Sequence, residues 1–225
     1  MKIKIIHPKI VAVTTLLCLV PILFGVAMWD QLPNIMPTHF GLNNEPNGFM
    51  SKPVAVFILP VIVAALELIC MFFTSIDPKK GNISEKSLVP VLWFMPALCW
   101  VCSCLTYGSA LGYQINIGAI ILTLLGFLFM AMGNFMPKNA QNYSFGIKTP
   151  WTLDNEENWR YSNRIGGICM TVVGLVVAVI GIACFFLGKS VFFYCLAFGL
   201  LLVSVLIPFV ASYLYYRKHH GNDAA

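Results

Sequence analysis

Charge is what this sequence has least of. Only 10% of its 225 residues are Asp, Glu, Lys or Arg, against about 25% in ordinary soluble domains. With 59% hydrophobic residues and a mean hydropathy of +0.81, a water-soluble globule is excluded. Between Ser87 and Pro137 there is no charged residue at all. Histidine is equally sparse, at four, and no nucleophile–base pair, glycine-rich phosphate cradle or paired carboxylate of catalytic type is visible. Polar cysteine is missing too: all eight cysteines fall inside apolar runs, which argues against a secreted disulfide framework. Cys99, Cys102 and Cys104 have a metal-like spacing, but no loop His or second Cys pair joins them, so packing as small hydrophobes is the preferred reading. Neither a cofactor nor a metal is indicated.

What is present is a series of apolar runs, and about 20 such residues span a bilayer. Run one is Ile10–Trp29 and run two Pro53–Phe73. The uncharged interval 87–137 is too long for one crossing at about 1.5 Å per residue, so it divides around Gly112–Asn116 into runs three and four, a tight hairpin. Run five is Ile165–Leu187, Gly188-Lys189-Ser190 turns the chain, and run six is Val191–Tyr216. The fold class expected is an all-α integral membrane protein with six transmembrane helices. Run one, with Gly25-Val26-Ala27 near its end, has some features of a signal peptide. It is long for one, Pro21 interrupts it, and its loss would leave an odd number of crossings, so it is read as a retained helix.

Basic residues collect on the cytoplasmic side of membranes. An inside amino terminus puts Lys2, Lys4, Lys9, Lys79, Lys80, Lys86, Lys138, Lys148, Arg160, Arg164, Arg217 and Lys218 inside, 12 of the 14, leaving Lys52 and Lys189 outside. Both termini are therefore expected to be cytoplasmic, with loop 30–52 external and stretch 136–164 internal. The net charge of +5 reports this orientation, and no direct nucleic-acid partner is indicated. Organisation falls into residues 1–87, with the first two crossings and the external loop, and residues 88–225, with the remaining four.

Three features stand out against the lipid-facing background. Glu67 is the only ionisable side chain well inside a run, where a charge costs at least ~2.5 kcal/mol. It should face protein or water, either as a neutral hydrogen-bonded group or as a proton or substrate site. Gly167, Gly174, Gly181 and Gly188 recur every seven residues and give run five a flat stripe for close helix approach, within the chain or, less favoured, in a homodimer. The interval 133–167 holds seven of the 23 charged residues and two of the five tryptophans. It reads as an extended or turned segment to Ile147, then a helix start with Asp154 and Glu157 spaced as a capping box. That helix, lying along the inner surface and bending into run five, presents Trp159 and Asn163, and Arg160 and Arg164, at i, i+4 spacing. Trp151, Trp159, Tyr143 and Tyr161 suit the headgroup layer. The segment is either an interfacial anchor or a docking surface. Loop 30–52, with three prolines and four asparagines, reads as an ordered, turn-rich loop. Its single histidine, His39, is expected to hydrogen-bond within the loop or to an external ligand.

Two motifs coincide in order. QLPNIMPTHFGLNNEPNGFMSK resembles the external LP…P-x-H-F/W…G-x-P…SK signature of a widespread bacterial domain of unknown function. MPKNAQNYSFGIKTPWTLDNEENWRYSNRIGG resembles the P-K…N-Y-x-x-G-I-R/K-T-P-W-T-L…W signature of the SdpI family, with eight consecutive fitting positions from Phe145 to Thr152. Together the pair resembles an SdpI-type protein over nearly the whole chain. The sequence departs from that pattern at Asn163, where many relatives have His, and at Asn44, where Gly is usual. The resemblance implies a membrane immunity or sensor protein, not an enzyme, giving resistance to a secreted membrane-active peptide toxin and binding a cytoplasmic repressor. It places Pro37, His39, Phe40, Asn43, Glu45, Pro46 and Lys52 on the outward, ligand-sensing side. Asn142, Tyr143, Gly146, Lys148, Thr149, Pro150, Trp151, Thr152, Trp159, Arg160 and Arg164 form the inward, partner-binding face. A small proton-coupled transporter or exporter using Glu67 is the alternative; a membrane enzyme using His39 and a structural scaffold are further rivals.

Overall fold

The computed structural model describes residues 8–188 and 190–220; Lys2, Lys4 and Lys189 of the orientation count lie outside them. Six helices are long and apolar enough to cross a membrane. They are α1 (Pro8–Ala27), α2 (Lys52–Ile76), α3 (Glu85–Ala110), α4 (Ile117–Phe135), α6 (Glu156–Leu187) and α7 (Val191–His220), with a short α5 (Pro150–Asp154) between α4 and α6. Their limits follow local chemistry. Proline in the first turn opens α2, where its missing N–H costs nothing. Asn116 caps α4 by accepting from the Ala119 amide at 3.3 Å. Gly188 ends α6 at φ 100°, a left-handed conformation that glycine enters without a Cβ penalty.

Stretch 30–52, expected to be an ordered, turn-rich loop, holds regular strands. It folds as a two-stranded antiparallel hairpin, β1 (Ile35–Phe40) and β2 (Pro46–Ser51). Ile35 stands opposite Ser51, Met36 opposite Met50 and Pro37 opposite Phe49, with the register breaking between Pro37 and His39. Proline is tolerated because both strands are edges. The hairpin turns through Asn44, whose φ of 67° is left-handed; asparagine is among the few non-glycine residues that adopt it readily. Met36 is fully buried and packs with Leu32, Val56 and Tyr107, so the hairpin sits on the ends of α2 and α3 rather than projecting free.

Within the span, α1, α2 and α3 pack around Cys18, Val63, Ala64 and Cys99. Helices α4, α6 and α7 pack around Ala119, Leu122, Val177, Ala197 and Leu201, and α3 joins the two groups by its contact with α4. The glycine stripe is consumed inside the chain. A Cβ on Gly174 would lie 2.6 Å from the Met130 amide nitrogen, and one on Gly126 would lie 2.5 Å from that of Ala178. Gly167 and Gly181 meet α4 backbone in the same way, whereas Gly188 has open space. This corrects the homodimer use of the stripe: its surface is already occupied by α4, because the seven-residue repeat is matched there by small residues. Large apolar side chains such as Leu23, Phe72 and Phe198 point outward, as lipid-facing residues do.

Candidate functional site

The segment from Met136 to Arg164 forms a plate at one end of the α4–α6–α7 group, built largely from side chain to backbone hydrogen bonds. Asn142 is fully buried. Its Oδ1 accepts from the amides of Ser144 at 2.9 Å and Phe145 at 2.7 Å, and its Nδ2 donates to the carbonyl of Ala140 at 2.9 Å. That is an Asx turn closed on both sides. Gly146 follows at φ 131°, and a Cβ there would stand 2.5 Å from Asn163 Oδ1 and 2.9 Å from the Trp159 ring. Asn163 accepts from the Ile147 amide at 2.8 Å and donates to the Trp159 carbonyl at 2.9 Å. The residue standing where many relatives have His thus holds the loop onto α6.

Three details of the plate correct the sequence expectation. The capping box joins Thr149 and Thr152, not Asp154 and Glu157. The chain breaks at Asn155, which is extended (φ −124°, ψ 119°) and caps α6 separately by accepting from the amides of Glu157 and Asn158 at 2.8 and 2.9 Å. Helix α6 is then continuous for 32 residues, about 48 Å long at the usual rise, so residues 156–164 extend the crossing rather than form a separate surface helix. Trp159 does not sit in the headgroup layer. It is 1% exposed and donates through Nε1 to the Asn139 carbonyl at 3.0 Å, because the plate folds over that face of α6. Trp151 keeps a more peripheral position, with its ring 5.6 Å from that of Tyr213 and 5.9 Å from that of Tyr216. Thr149 meets Ser212 at 2.9 Å and Asn158 Nδ2 donates to the Ser212 carbonyl at 3.0 Å, fastening the plate to α7.

The candidate residues therefore divide by direction. Asn142, Gly146, Thr149, Thr152 and Trp159 build the plate from within. Tyr143, Lys148, Pro150, Arg160 and Arg164 lie on its surface, with Lys148 Nζ donating to the carbonyls of Tyr143 and Ser144 at 2.9 and 3.3 Å. The α2–α3 connection supplies partners the motif does not contain. Asp77 is 4% exposed, and its Oδ2 accepts from the Tyr143 amide at 2.9 Å and the Ser144 hydroxyl at 2.6 Å. Lys79 bonds Gln141, Asn82 donates to the Gln141 carbonyl at 2.7 Å, and Asn139 accepts from the Ser84 amide at 2.8 Å. Asp77, Asn139 and Gln141 are site residues that the sequence reading did not single out. Their signal was polarity itself, in a chain with only nine acidic residues.

At the opposite end the hairpin is tied down by Asn44. Its Nδ2 donates to the Ile115 carbonyl at 3.0 Å, and its Oδ1 accepts from the Gly118 amide at 3.0 Å. Asn116 continues the chain of contacts, donating to the Cys184 carbonyl at 2.9 Å and accepting from the Tyr194 hydroxyl at 2.7 Å. Beneath the tip, a crevice of about 470 Å³ is bounded by Phe40, Leu42, Ile121, Tyr194 and Phe198. His39 pairs with Asn47 across the strands and Asn43 with Glu45 in the turn, bonds internal to the hairpin. Pro37 is buried, while Pro46 is exposed beside the turn. Lys52 is 8% exposed, its ammonium bonded to the Trp29 carbonyl at 2.8 Å and 5.1 Å from the Trp29 ring.

Glu67 belongs to neither end. It is 1% exposed between α1 and α2, receiving the Thr14 hydroxyl on Oε1 and the Cys18 thiol at 3.5 Å on Oε2. That is a satisfied, enclosed carboxyl group. All eight cysteines are free, and no cluster of three metal-ligating residues occurs among the described residues.

Comparison with known proteins fits this anatomy. Residues 138–212, the plate with α6 and most of α7, match the SdpI/YfhL protein family. Residues 16–64, from α1 through the hairpin into α2, match a domain of unknown function, DUF1648. Over 200 residues the chain is 30% identical to the immunity protein SdpI of Bacillus subtilis (strain 168), an alignment covering 89% of this chain and 92% of that protein. No solved structure matches. With both motifs in register and the identity running nearly end to end, the chain belongs to the SdpI/YfhL family as a multi-pass protein of the cell membrane.

Proposed function

We propose that this protein is an immunity protein that protects its cell from a secreted, membrane-active peptide. The observation that carries the reading is the 30% identity maintained over 92% of an immunity protein, which leaves no large element of that relative without a counterpart here. The hairpin end faces outward and both termini face the cytoplasm, as the distribution of basic residues requires. Peptide is received at the hairpin, and the plate is the inward surface that recruits a repressor or other partner.

The contacts described above support a route between the ends. Asn44 and Asn116 clasp the hairpin to α4, α6 and α7, and Asp77, Lys79 and Asn82 clasp the α2–α3 connection to the plate. Between them α4 and α6 run in backbone contact. A peptide can bias such a frame only by binding two of its arrangements with different affinity. Tyr143, Lys148 and Pro150 lie exposed on the plate for a protein partner.

The test is survival of a sensitive bacterium expressing the chain and challenged with a panel of membrane-active peptides. Selective protection against one peptide class, absent in cells with the empty vector, is expected. Equal killing with and without the chain across the panel would overturn the reading.

A further inference from the structure

We propose that the groove between the plate-side ends of α4 and α6 binds an anionic phospholipid, with its phosphate between Arg160 and Arg164 and an acyl chain along Ile168 and Val172. The groove has a volume of about 610 Å³. Its floor is set by the closest approach of the two helices: a Cβ on Gly133 would lie 2.6 Å from the Gly167 carbonyl oxygen, and one on Gly167 would lie 2.6 Å from Pro137 Cγ. Arg160, Arg164, Ile168 and Val172 follow one another at four-residue spacing along a single face of α6.

Charge at the mouth is unbalanced. Arg164 makes no ion pair or side-chain hydrogen bond among the described residues. Arg160 pairs only with Glu156, at 3.4 Å and with both side chains more than two-thirds exposed; such pairs contribute little and yield to a better acceptor. Two cations one helical turn apart repel each other, and a phosphate between them removes that cost while matching the fork geometry of guanidinium. Lys138, whose ammonium lies 4.7 Å from the Phe135 ring, bonds Asn134 of the groove wall at 3.2 Å.

Depth selects a lipid over a soluble acidic partner. From Arg160 to Val172 the groove descends about 18 Å along the helix axis, from charged side chains to the 56% exposed Val172 within the apolar span. Only a molecule with an anionic head and a hydrocarbon tail meets both ends.

The experiment titrates the purified full-length protein in neutral detergent with dioleoylphosphatidylglycerol or dioleoylphosphatidylcholine and counts bound lipid by native mass spectrometry. The phosphatidylglycerol complex should be favoured about thirtyfold, on the scale of the attraction of two basic side chains to anionic lipid. Arg160→Gln with Arg164→Gln should abolish the preference. Arg217→Gln with Lys218→Gln, an equal loss of charge outside the groove, should leave it intact. Val172→Trp, which obstructs the lower groove without changing charge, should weaken both lipids. Equal binding of the two lipids by the wild type, a preference that survives the replacement of Arg160 and Arg164, or equal loss on replacing Arg217 and Lys218 would overturn the proposal. Displacement by millimolar glycerol 1-phosphate would also overturn it, by assigning the site to a soluble phosphate.

Discussion

Replacing Gly174 by alanine should destabilise the protein, although the same change elsewhere in a helix is favourable. Alanine is better than glycine in a helix interior by about 1 kcal/mol, and Gly199 in α7 has nothing within 4 Å of the position its Cβ would take. Gly199→Ala should therefore be neutral or stabilising. At Gly174 the new Cβ would lie 2.6 Å from the Met130 amide nitrogen and 2.7 Å from the Gly126 carbonyl oxygen. These are backbone atoms with no rotamer to change, so α4 and α6 must separate. Overpacking of this kind costs about 1–3 kcal/mol, enough to outweigh the propensity gain. Separation also loosens contacts along the α4–α6 seam above and below. Thermal unfolding in detergent, followed by tryptophan fluorescence, should place Gly174→Ala below wild type, by about 2–4 °C per kcal/mol for a chain of this size. Gly199→Ala should fall at or above wild type. If Gly174→Ala matched or exceeded wild type, the backbone approach of α4 to α6 would be wrong, and with it the assignment of the stripe to packing within the chain.

Asn163→Ala leaves the buried Ile147 amide without its acceptor and should cost about 1–3 kcal/mol, read as faster hydrogen exchange at residues 145–149. Asp77→Ala removes the acceptor of the Tyr143 amide and Ser144 hydroxyl and should open segment 142–147 to protease in inside-out vesicles, with the hairpin unchanged. Asn44→Ala keeps a Cβ in the left-handed region without the polar side chain that lets asparagine tolerate it, and removes the bonds to Ile115 and Gly118. Asn44→Gly loses the bonds alone, so hydrogen exchange across 40–46 should rise in both and more in the alanine variant. Glu67→Gln keeps the reach to Thr14 and Cys18 and should accumulate in the membrane near wild-type level, whereas the shorter Glu67→Asp should accumulate less; the reverse order would mean that the charge rather than the hydrogen bonding is needed.

The crossings were legible because so few charges interrupt the apolar runs, and because Gly112–Asn116 is a polar break in an interval too long for one helix. The hairpin was not. Prolines and asparagines signal turns, and nothing local reveals that Met36 finds a pocket between α2 and α3 or that Asn44 reaches the start of α4, more than 70 residues on. Spacing revealed the glycine stripe but not the helix that fills it. Trp159 and Asn163 lie at the polar beginning of α6, where amphipathic reading puts side chains at an interface; their burial depends on a loop folding back over them. Asp77 lay outside the motif, and two of its partners are the backbone amides of Lys79 and Tyr143, which leave no side-chain pattern. The misses at the two ends share long-range hydrogen bonding by Asn, Asp and Gln, whereas those at Met36 and the glycine stripe are packing between segments distant in sequence.

Protection that requires the plate as well as the hairpin is the central claim, and a matched-expression survival assay tests it most directly. Cells carrying wild type, Trp151→Ala or Gly199→Ala at equal membrane levels are exposed to the peptide against which wild type protects. Trp151 anchors the plate to Tyr213 and Tyr216, so its removal should loosen the plate without touching the hairpin. The account predicts protection by wild type and Gly199→Ala and its loss in Trp151→Ala. Undiminished protection by Trp151→Ala would contradict it and move the activity to the hairpin and the crossings.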